Sequence, residues 1–346
     1  MSMKPFIAFL FVCVLLNSQL VYGQPAAIDK VQFFKEEKPV KVTLETYWTK
    51  IINQKNKVGQ VFPARFKAAI NDSTNADEPV DLQVRGHFRR DYCYVPPLKL
   101  GFYKSGSSVM HPLKSLKLVS ACRLIDSYEQ YLFKEFLVYK MYNLLTEKSF
   151  RVRLLLVDYK DSNERKGTFT EHAFLTEDLK DLAKRNQCKE SDRVKVNTES
   201  TDRNQMTMVA IFEYMIGNTD WSVPAGHNIK LIQSKEDSLS KPFSVPYDFD
   251  YSGIVNTEYA IPDPLLNTET VLQRVYRGYP RTMDELNAVL EVFKQQKEKM
   301  YALINNFEML SSRNKKNMLE YLDSFYDIIK KLKDVKSVFI DNARFD

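Results

Sequence analysis

The chain has 346 residues, of which 44% are hydrophobic and 27% are charged, and its formal net charge is +6. This composition is ordinary for a globular protein, and 10 glycines against 22 phenylalanines and 19 tyrosines exclude a flexible linker protein or a repetitive fibre. Basic residues are mixed with acidic ones instead of clustering with aromatic residues, so we expect no nucleic-acid partner.

Residues 1–23 have the pattern of a signal peptide. Lys4 is followed by an apolar run at 6–16 and then by a small residue, Gly23, of the kind that signal peptidase accepts. The apolar run is too short to span a bilayer comfortably, and no later run reaches the length of a membrane helix. We therefore predict an exported protein, periplasmic or extracellular, whose mature chain begins at Gln24 and has no transmembrane segment.

Three cysteines follow the predicted signal peptide. Disulfides persist outside the cytoplasm, and Cys93 and Cys122 flank neighbouring strand candidates. We predict a disulfide between these two residues and a free thiol at Cys188. No grouping of cysteines with the four histidines has the spacing of a zinc site.

Alternating apolar and polar residues predict a sheet with one packed face in the first part of the mature chain. The strand patterns cover 40–46, 60–70, 80–86 and 98–102. In the last of these, Lys99 faces away from the packed side. Residues 85–90 form a turn with three arginines and Gly86, which as a sequence pattern is typical of a solvated basic hairpin. A further strand pattern at 115–119 carries Lys117.

A helix at 127–145 is the best-marked element of the chain. Residues 127–130 have the form of a capping box, and an apolar stripe follows at helical spacing. Glu135 projects away from the centre of the stripe, onto a face that carries several tyrosines. We interpret this face as a second, semi-buried surface, although an ordinary surface glutamate would fit the same position.

The remaining patterns place strands and then helices along the chain. Strands are predicted at 151–159 and 168–176, and helices at 202–216, 265–276, 283–307 and 314–332. Residues 186–203 are polar and predict a loop or a short helical excursion.

Two polar segments flank a short apolar strand at 229–232, so a chain that doubles back brings them to one point. Phosphoryl transfer needs a carboxylate that positions the acceptor and hard oxygen ligands that hold Mg²⁺ against nucleotide phosphates. Asp220 fits the first role, Asn228 and Asp248 fit the second, and Asp250 assists them. Taken singly, each segment is also typical of an Asx turn or a solvated strand end.

These segments, 217–231 and 246–253, resemble the catalytic and metal-binding loops of the spore-coat-protein-H (CotH) family of atypical kinases. The family loops are similar to Asn-x-Asp-Trp-Pro-Gly-x-Asn and a later Asp-x-Asp. One departure is the spacing, because Asp220 and Asn228 are eight positions apart, longer than in most relatives.

The resemblance implies an α+β, two-lobed protein-kinase-like fold. An N-lobe at 24–177 would have an antiparallel sheet plus one helix, and a C-lobe at 178–346 would be mostly helical, with the hinge near Glu177.

The resemblance also implies a set of nucleotide contacts. Arg85 and Gly86 would lie over the phosphates, Lys99 or Lys117 would meet them, Glu135 would pair with that lysine, and Glu177 would lie near the adenine edge.

The function that this resemblance implies is a secreted, atypical kinase-like phosphotransferase. It would use Mg²⁺ or Mn²⁺ with ATP to modify a protein or glycan hydroxyl. The alternative is a catalytically inactive kinase-like scaffold that acts as an envelope or extracellular binding or structural protein. The stretched loop and the scarcity of ATP outside the cytoplasm favour that alternative. A glycoside hydrolase with Asp220 and Asp248 flanking a sugar bond is a third, more remote interpretation.

Overall fold

Seven strands close into a barrel in the N-terminal half of the chain. The computed structural model describes residues 27–57, 59–103, 108–165 and 167–344, so the signal peptide predicted at 1–23 lies outside the described residues. The barrel strands are β1 (Val40–Thr46), β2 (Val61–Asn71), β3 (Thr74–Val84), β4 (Leu98–Phe102), β5 (Ser115–Ser120), β6 (Val152–Asp161) and β7 (Thr168–Thr176). Their order is β1-β2-β3-β4-β5-β7-β6, and β6 closes the barrel by pairing in parallel with β1.

Strands β1 to β4 bury alternate side chains, as the sequence pattern predicts, whereas β6 and β7 contain runs of consecutive buried residues. Buried and more exposed positions alternate along the whole of β1 and β4. Aromatic rings fill the interior, where Trp48 meets Tyr159 edge to face with ring centroids 5.1 Å apart. Because a small closed barrel has a single interior that side chains fill, one apolar face on each strand is enough to build this core.

The predicted two-lobed protein-kinase-like fold is wrong. It required an N-lobe of one antiparallel sheet and one helix, whereas the strands form a closed, mixed barrel. Closure depends on a parallel pairing in which Val40 lies opposite Leu155. Alternation shows which face of a strand is packed, but it carries no information about which distant strand lies beside it. An open sheet and a closed barrel therefore give the same local sequence pattern.

The second half of the described chain is mostly helical and carries a small sheet. In this sheet β8 (Cys188–Glu190), β9 (Ile229–Ser234) and β10 (Phe243–Pro246) pair in the order β10-β9-β8. The α-helices of the described residues are α1 (Lys30–Lys35), α2 (Trp48–Asn53), α3 (Phe88–Tyr92), α4 (Asp126–Leu145), α5 (Leu179–Arg185), α6 (Arg203–Ile216), α7 (Met283–Asn306), α8 (Ser312–Ile329) and α9 (Leu332–Lys336). Single turns of 3-10 or π helix lie at His111–Leu113, Thr198–Ser200, Pro264–Leu266 and Ser337–Asp341. None of these helices is long and apolar enough to cross a membrane.

Helix α4 is buried on nearly all sides, between the barrel and the C-terminal helices. Its apolar residues belong to the same hydrophobic cluster as residues of α6, α7 and α8. Glu135 is consequently an interior residue, only 2% exposed. The predicted capping box is wrong, because the helix begins at Asp126 and its N-cap residue, Ile125, forms no side-chain hydrogen bond.

Three of the four later helix predictions are confirmed, and the fourth is wrong. The patterns at 202–216, 283–307 and 314–332 correspond to α6, α7 and α8. At 265–276 the chain instead forms the single turn Pro264–Leu266, which ends at Asn267 in the left-handed conformation with a φ of 51°. An asparagine tolerates this conformation, so the apolar residues beyond it are not carried into a helix.

The predicted disulfide between Cys93 and Cys122 is confirmed, and Cys188 is free and buried. Cys93 is the residue that ends α3, and Cys122 lies just after β5. The bond therefore ties the arginine-bearing helix α3 to the chain that leads from the barrel into α4.

Candidate functional site

The first polar segment begins with a sharp turn after α6. Gly217 ends the helix with a φ of 68°, and a Cβ at this position would lie 1.9 Å from the Tyr321 hydroxyl oxygen, so a larger residue would have to displace Tyr321. Asn218 Oδ1 then accepts a hydrogen bond from the Asp220 N–H at 3.0 Å. The Asx turn is therefore present, and it places the Asp220 side chain just beyond the helix end.

A small hairpin accommodates the extra residues between Asp220 and Asn228. Ser222 and His227 pair as antiparallel bridge partners, so the residues between them loop outward. The Asn228 side-chain nitrogen donates to the Asp220 backbone oxygen at 2.8 Å and to Oδ2 at 3.0 Å. His227 Nε2 lies 2.7 Å from Oδ1 of the same carboxylate. Both oxygens of Asp220 are thus held despite the long spacing.

The β9–β10 hairpin brings the second polar segment to the first. The Tyr247 N–H donates to the Asn228 carbonyl oxygen at 3.0 Å. The next residue, Asp248, has a φ of 67°, which is uncommon for a residue other than glycine, and its N–H donates to the Tyr139 hydroxyl oxygen at 2.8 Å. Asn228 and Asp248 therefore lie at the same end of the small sheet.

Asp250 belongs to a buried group of charges, the Arg89 cluster, which consists of Arg89, Glu135, Asp250 and Tyr259. Arg89 Nη1 lies 3.7 Å from Glu135 Oε2 and 3.7 Å from Asp250 Oδ2. The Tyr259 hydroxyl donates to Asp250 Oδ2 at 2.9 Å. Glu135 is therefore paired with an arginine, whereas the resemblance implied a pair with Lys99 or Lys117.

Burial controls the protonation of the acids in the Arg89 cluster. Removal from water raises the pKa of Glu135 well above its usual range, and the nearby Asp250 raises it further. Burial, followed by repulsion from Asp248, raises the pKa of Asp250 to about 6. Arg89 acts against both shifts, so the cluster contains its own neutralising charge.

Beside Asp248 lies a cavity of about 290 Å³, which we call the basic cavity. It lies between strands β4 and β5 of the barrel and the β9–β10 hairpin. Its apolar wall includes Phe150, Leu116 and Tyr247. The cations that line it are Arg85, Lys99, Lys117 and Lys230, and the acids are Asp248, Glu177 and Asp178. Five of the residues singled out from sequence thus share one cavity: Arg85, Lys99, Lys117, Glu177 and Asp248.

The cations of the basic cavity repel one another. Lys99 and Lys117 lie directly opposite each other on β4 and β5, and like charges in this position destabilise a sheet. Burial, with repulsion from Arg85 and Lys230, lowers the pKa of Lys117 to about 8. An anion in the cavity would remove this repulsion.

Arg85 of the arginine turn and Glu177, the predicted hinge residue, both form hydrogen bonds within the protein that the sequence did not indicate. Arg85 Nε donates to the Leu98 carbonyl oxygen at 3.3 Å, and burial lowers the pKa of this guanidinium. Gly86 has a φ of 78°, and the chain then enters α3 instead of forming a solvated hairpin. The Glu177 carboxylate accepts a hydrogen bond from Arg185 Nε at 2.9 Å, so its side chain is committed to an ion pair.

Several residues of the site were missed from sequence. Lys230 lines the basic cavity because it lies two positions after Asn228 on β9, a spacing that the sequence displays. Tyr139 follows Glu135 by one helical turn of α4, so the two share a face, and this spacing was also visible. The roles of Arg89 and Tyr259 had no sequence signal, because they depend on how α3 and the chain after β10 pack on α4.

The metal ligands predicted from sequence do not form a conventional cluster. No group of three or more His, Cys, Asp or Glu side chains that could hold a metal ion occurs in the part of the chain that the structure describes. The candidate set combines one amide, Asn228, with Asp248 and the buried Asp250.

Similarity to known proteins gives no assignment for this arrangement. No family model matches the chain, and no curated protein matches it. The function must therefore be argued from the residues around the basic cavity and the Asp220 turn.

Proposed function

We propose that the protein is a phosphotransferase that uses ATP with Mg²⁺ or Mn²⁺ to phosphorylate a hydroxyl group of a protein or glycan. The observation that carries this proposal is the basic cavity beside Asp248, with the Asp220–Asn228 turn joined to it through the β9–β10 hairpin. Support comes from the chemistry of these residues and not from the fold, since the barrel differs from the architecture that the kinase resemblance implied.

The charge of the basic cavity supports a polyphosphate ligand. None of its four cations forms an ion pair with a described residue, and two of them face each other across β4 and β5. The cavity volume of about 290 Å³ is at the lower end of the range for small-molecule sites, and its wall combines cations with aromatic and aliphatic side chains. Such a wall suits a nucleotide, which has a flat base and several negative charges.

The donor set near the cavity fits a nucleotide-bound divalent cation. Mg²⁺ in nucleotide sites takes one or two protein carboxylates and completes its shell with phosphate oxygens and water, so three acidic side chains are not needed. Asp248 and the Asn228 amide oxygen would hold the ion, and Asp250 would support them from behind. When bound, the cation supplies neutralisation of the phosphate charge that develops during transfer.

Asp220 has the environment of a residue that orients an acceptor. Its side chain is 38% exposed, and contacts from Asn228 and His227 fix both of its oxygens. In the proposed reaction the acceptor oxygen forms a bond to the γ-phosphorus, the bond from that phosphorus to the bridging oxygen breaks, and ADP leaves. Asp220 orients the acceptor hydroxyl and accepts its proton.

We further propose that this activity lies outside the cytoplasm. The signal-peptide pattern at 1–23 is one support, and the disulfide between Cys93 and Cys122 is another, because disulfides are uncommon in reducing compartments.

One observation favours an inactive scaffold as the second candidate. Arg89 lies between Glu135 and Asp250 and balances carboxylates that an active kinase-like site would direct at a lysine and a metal. A scaffold of this kind would keep the cavity without turning over a nucleotide.

Thermal unfolding with and without ligand tests the proposal. A ligand that binds only the folded state at a hundred times its dissociation constant adds about 2.7 kcal/mol to the free energy of unfolding. We expect MgATP to raise the melting temperature of the purified protein, and the K99M/K117M double variant to lose this rise. The K333M/K336M variant, altered at exposed lysines of α9, is the matched control. No rise for the unaltered protein at saturating nucleotide excludes the phosphotransferase, and a rise without turnover supports the scaffold.

A further inference from the structure

A second cavity opens beside the basic cavity. This groove, of about 400 Å³, runs between residues 190–196 and the hairpin at residues 223–226, with β9 as its floor. Leu179 and Lys230 line both the groove and the basic cavity, so the two are neighbours. The hairpin wall is the outward loop between Asp220 and Asn228, so the groove is formed in part by the same loop that carries Asp220.

The groove carries a surplus of positive charge. Arg193, Lys195 and Lys230 line it against one acid, Glu190, and none of the three cations forms an ion pair with any described residue. The Arg193 guanidinium donates to the Ser238 carbonyl oxygen at 3.4 Å. These cations are placed for a negatively charged ligand.

The uncharged lining is aliphatic and not aromatic. Val194 is 85% exposed at the rim, and Val196, Val223 and Leu231 continue the apolar surface inward. No aromatic side chain lines the groove among the described residues. Sugar rings bind chiefly by stacking on aromatic side chains, whereas aliphatic surfaces suit the side chains of a peptide. The lining therefore favours a peptide over a glycan.

We propose that this groove binds an acidic peptide segment of the acceptor protein, next to the hydroxyl that is phosphorylated. The inference rests on the proposed function for the identity of the neighbouring site, but peptide binding itself needs no nucleotide. Acidic side chains of the peptide would meet Arg193 and Lys195 at the rim, and its aliphatic side chains would cover Val194. The hairpin that lengthens the Asp220 segment would then form one wall of an acceptor site.

Peptide binding measured by fluorescence anisotropy tests the groove. The probes are a labelled serine-centred peptide flanked by glutamates and the same peptide with lysines in place of the glutamates. We expect the glutamate peptide to bind more tightly, with an affinity that falls as salt is added. The R193E/K195E variant should bind it about tenfold more weakly, because two attractive pairs become repulsive. Lys195→Ala should show a smaller loss in the same direction.

The K333E/K336E variant is the matched control, since it has the same net charge with the groove intact. Equal losses in the two charge-reversed variants, equal binding of both peptides, or no binding of either overturns the inference. So does tighter binding of a uronic-acid oligosaccharide, which identifies a glycan site. Melting temperatures of each variant with and without MgATP separate this inference from the proposed function. The R193E/K195E variant should keep the rise in melting temperature with MgATP. If no protein shows this rise, the proposed phosphotransferase is wrong, and the peptide-binding result still tests the groove.

Discussion

The basic cavity and the Arg89 cluster lie on either side of the 248–250 segment, and they treat charge in opposite ways. In the Arg89 cluster an arginine contacts Asp250 and Glu135, and burial raises the pKa of Glu135 well above its usual range, so Asp250 alone balances the arginine charge within the protein. The basic cavity has four cations without ion-pair partners among the described residues, against three acids, of which Glu177 is already paired with Arg185. A buried balanced cluster holds elements together, whereas an unbalanced accessible one is suited to a ligand.

The largest effect on the rate of phosphoryl transfer is expected for Asp220, the carboxylate that we propose to orient the acceptor hydroxyl. Asp220→Asn keeps the size of the side chain and one acceptor oxygen but cannot accept a proton. We expect the rate of phosphoryl transfer to fall about a thousandfold, in the range for loss of a general base. The melting-temperature shift with MgATP should persist, because the substitution is outside the basic cavity. Asp72→Asn, at an exposed turn between β2 and β3, is the control. Equal rates of phosphoryl transfer in the two variants would show that Asp220 does not act in the reaction.

The Arg89 cluster should matter for stability more than any cation of the cavity. Arg89→Met leaves the buried Glu135 and Asp250 without their counter-charge, and we expect a loss of about 3–5 kcal/mol in the free energy of unfolding. Arg85→Met, in the same turn, removes a cation that has no ion pair and should cost only about 1 kcal/mol. Urea unfolding of both variants measures the difference. Similar losses would show that the two regions do not differ in charge balance.

Local features of the fold could be predicted from sequence, whereas long-range pairings could not. The strands at 40–46 and 98–102 were predictable because alternation is a local property of each strand. Closure of the barrel was not, because it depends on β1 meeting β6, and no local pattern records that pairing. The same division applies to helices, where the apolar residues at 265–276 gave a helical pattern that the turn at Asn267 overrides.

Site residues that are close along the chain could also be predicted to meet, whereas those placed by tertiary contacts could not. Asp220, Asn228 and Asp248 could be brought together from sequence because a short strand and a hairpin connect them. The partner of Glu135 could not be identified, since the choice between a lysine and Arg89 depends on α3. That helix is held in place by the disulfide at Cys93 and by a bond from Arg89 Nη2 to the Ser120 carbonyl oxygen at 2.6 Å. The disulfide was predicted from sequence, but the Arg89–Ser120 hydrogen bond, which directs the Arg89 side chain, has no sequence pattern.

The smallest effect should be a gain in stability at the basic cavity. Burial, with repulsion from Arg85 and Lys230, lowers the pKa of Lys117 to about 8 in the folded protein, against 10.5 for an unperturbed lysine. Below pH 8 the side chain is charged in both states, and its charge disfavours the folded state. Above pH 10.5 it is neutral in both states and the penalty is absent. We therefore expect Lys117→Met to raise the free energy of unfolding by about 1 kcal/mol at pH 7.

This gain should shrink as the pH rises from 8 to 10.5, because the unaltered protein loses its penalty over that interval. Urea unfolding of both proteins at pH 7 and at pH 10 measures the change. Lys41→Met, at an exposed position of β1 opposite Ala69, is the matched control and should change stability by no more than about 0.5 kcal/mol. A loss of stability for Lys117→Met at pH 7 would mean that the protein balances this charge by itself. The reason for placing an anion in the cavity would then be gone, and the basic cavity would be a structural cluster like the one around Arg89.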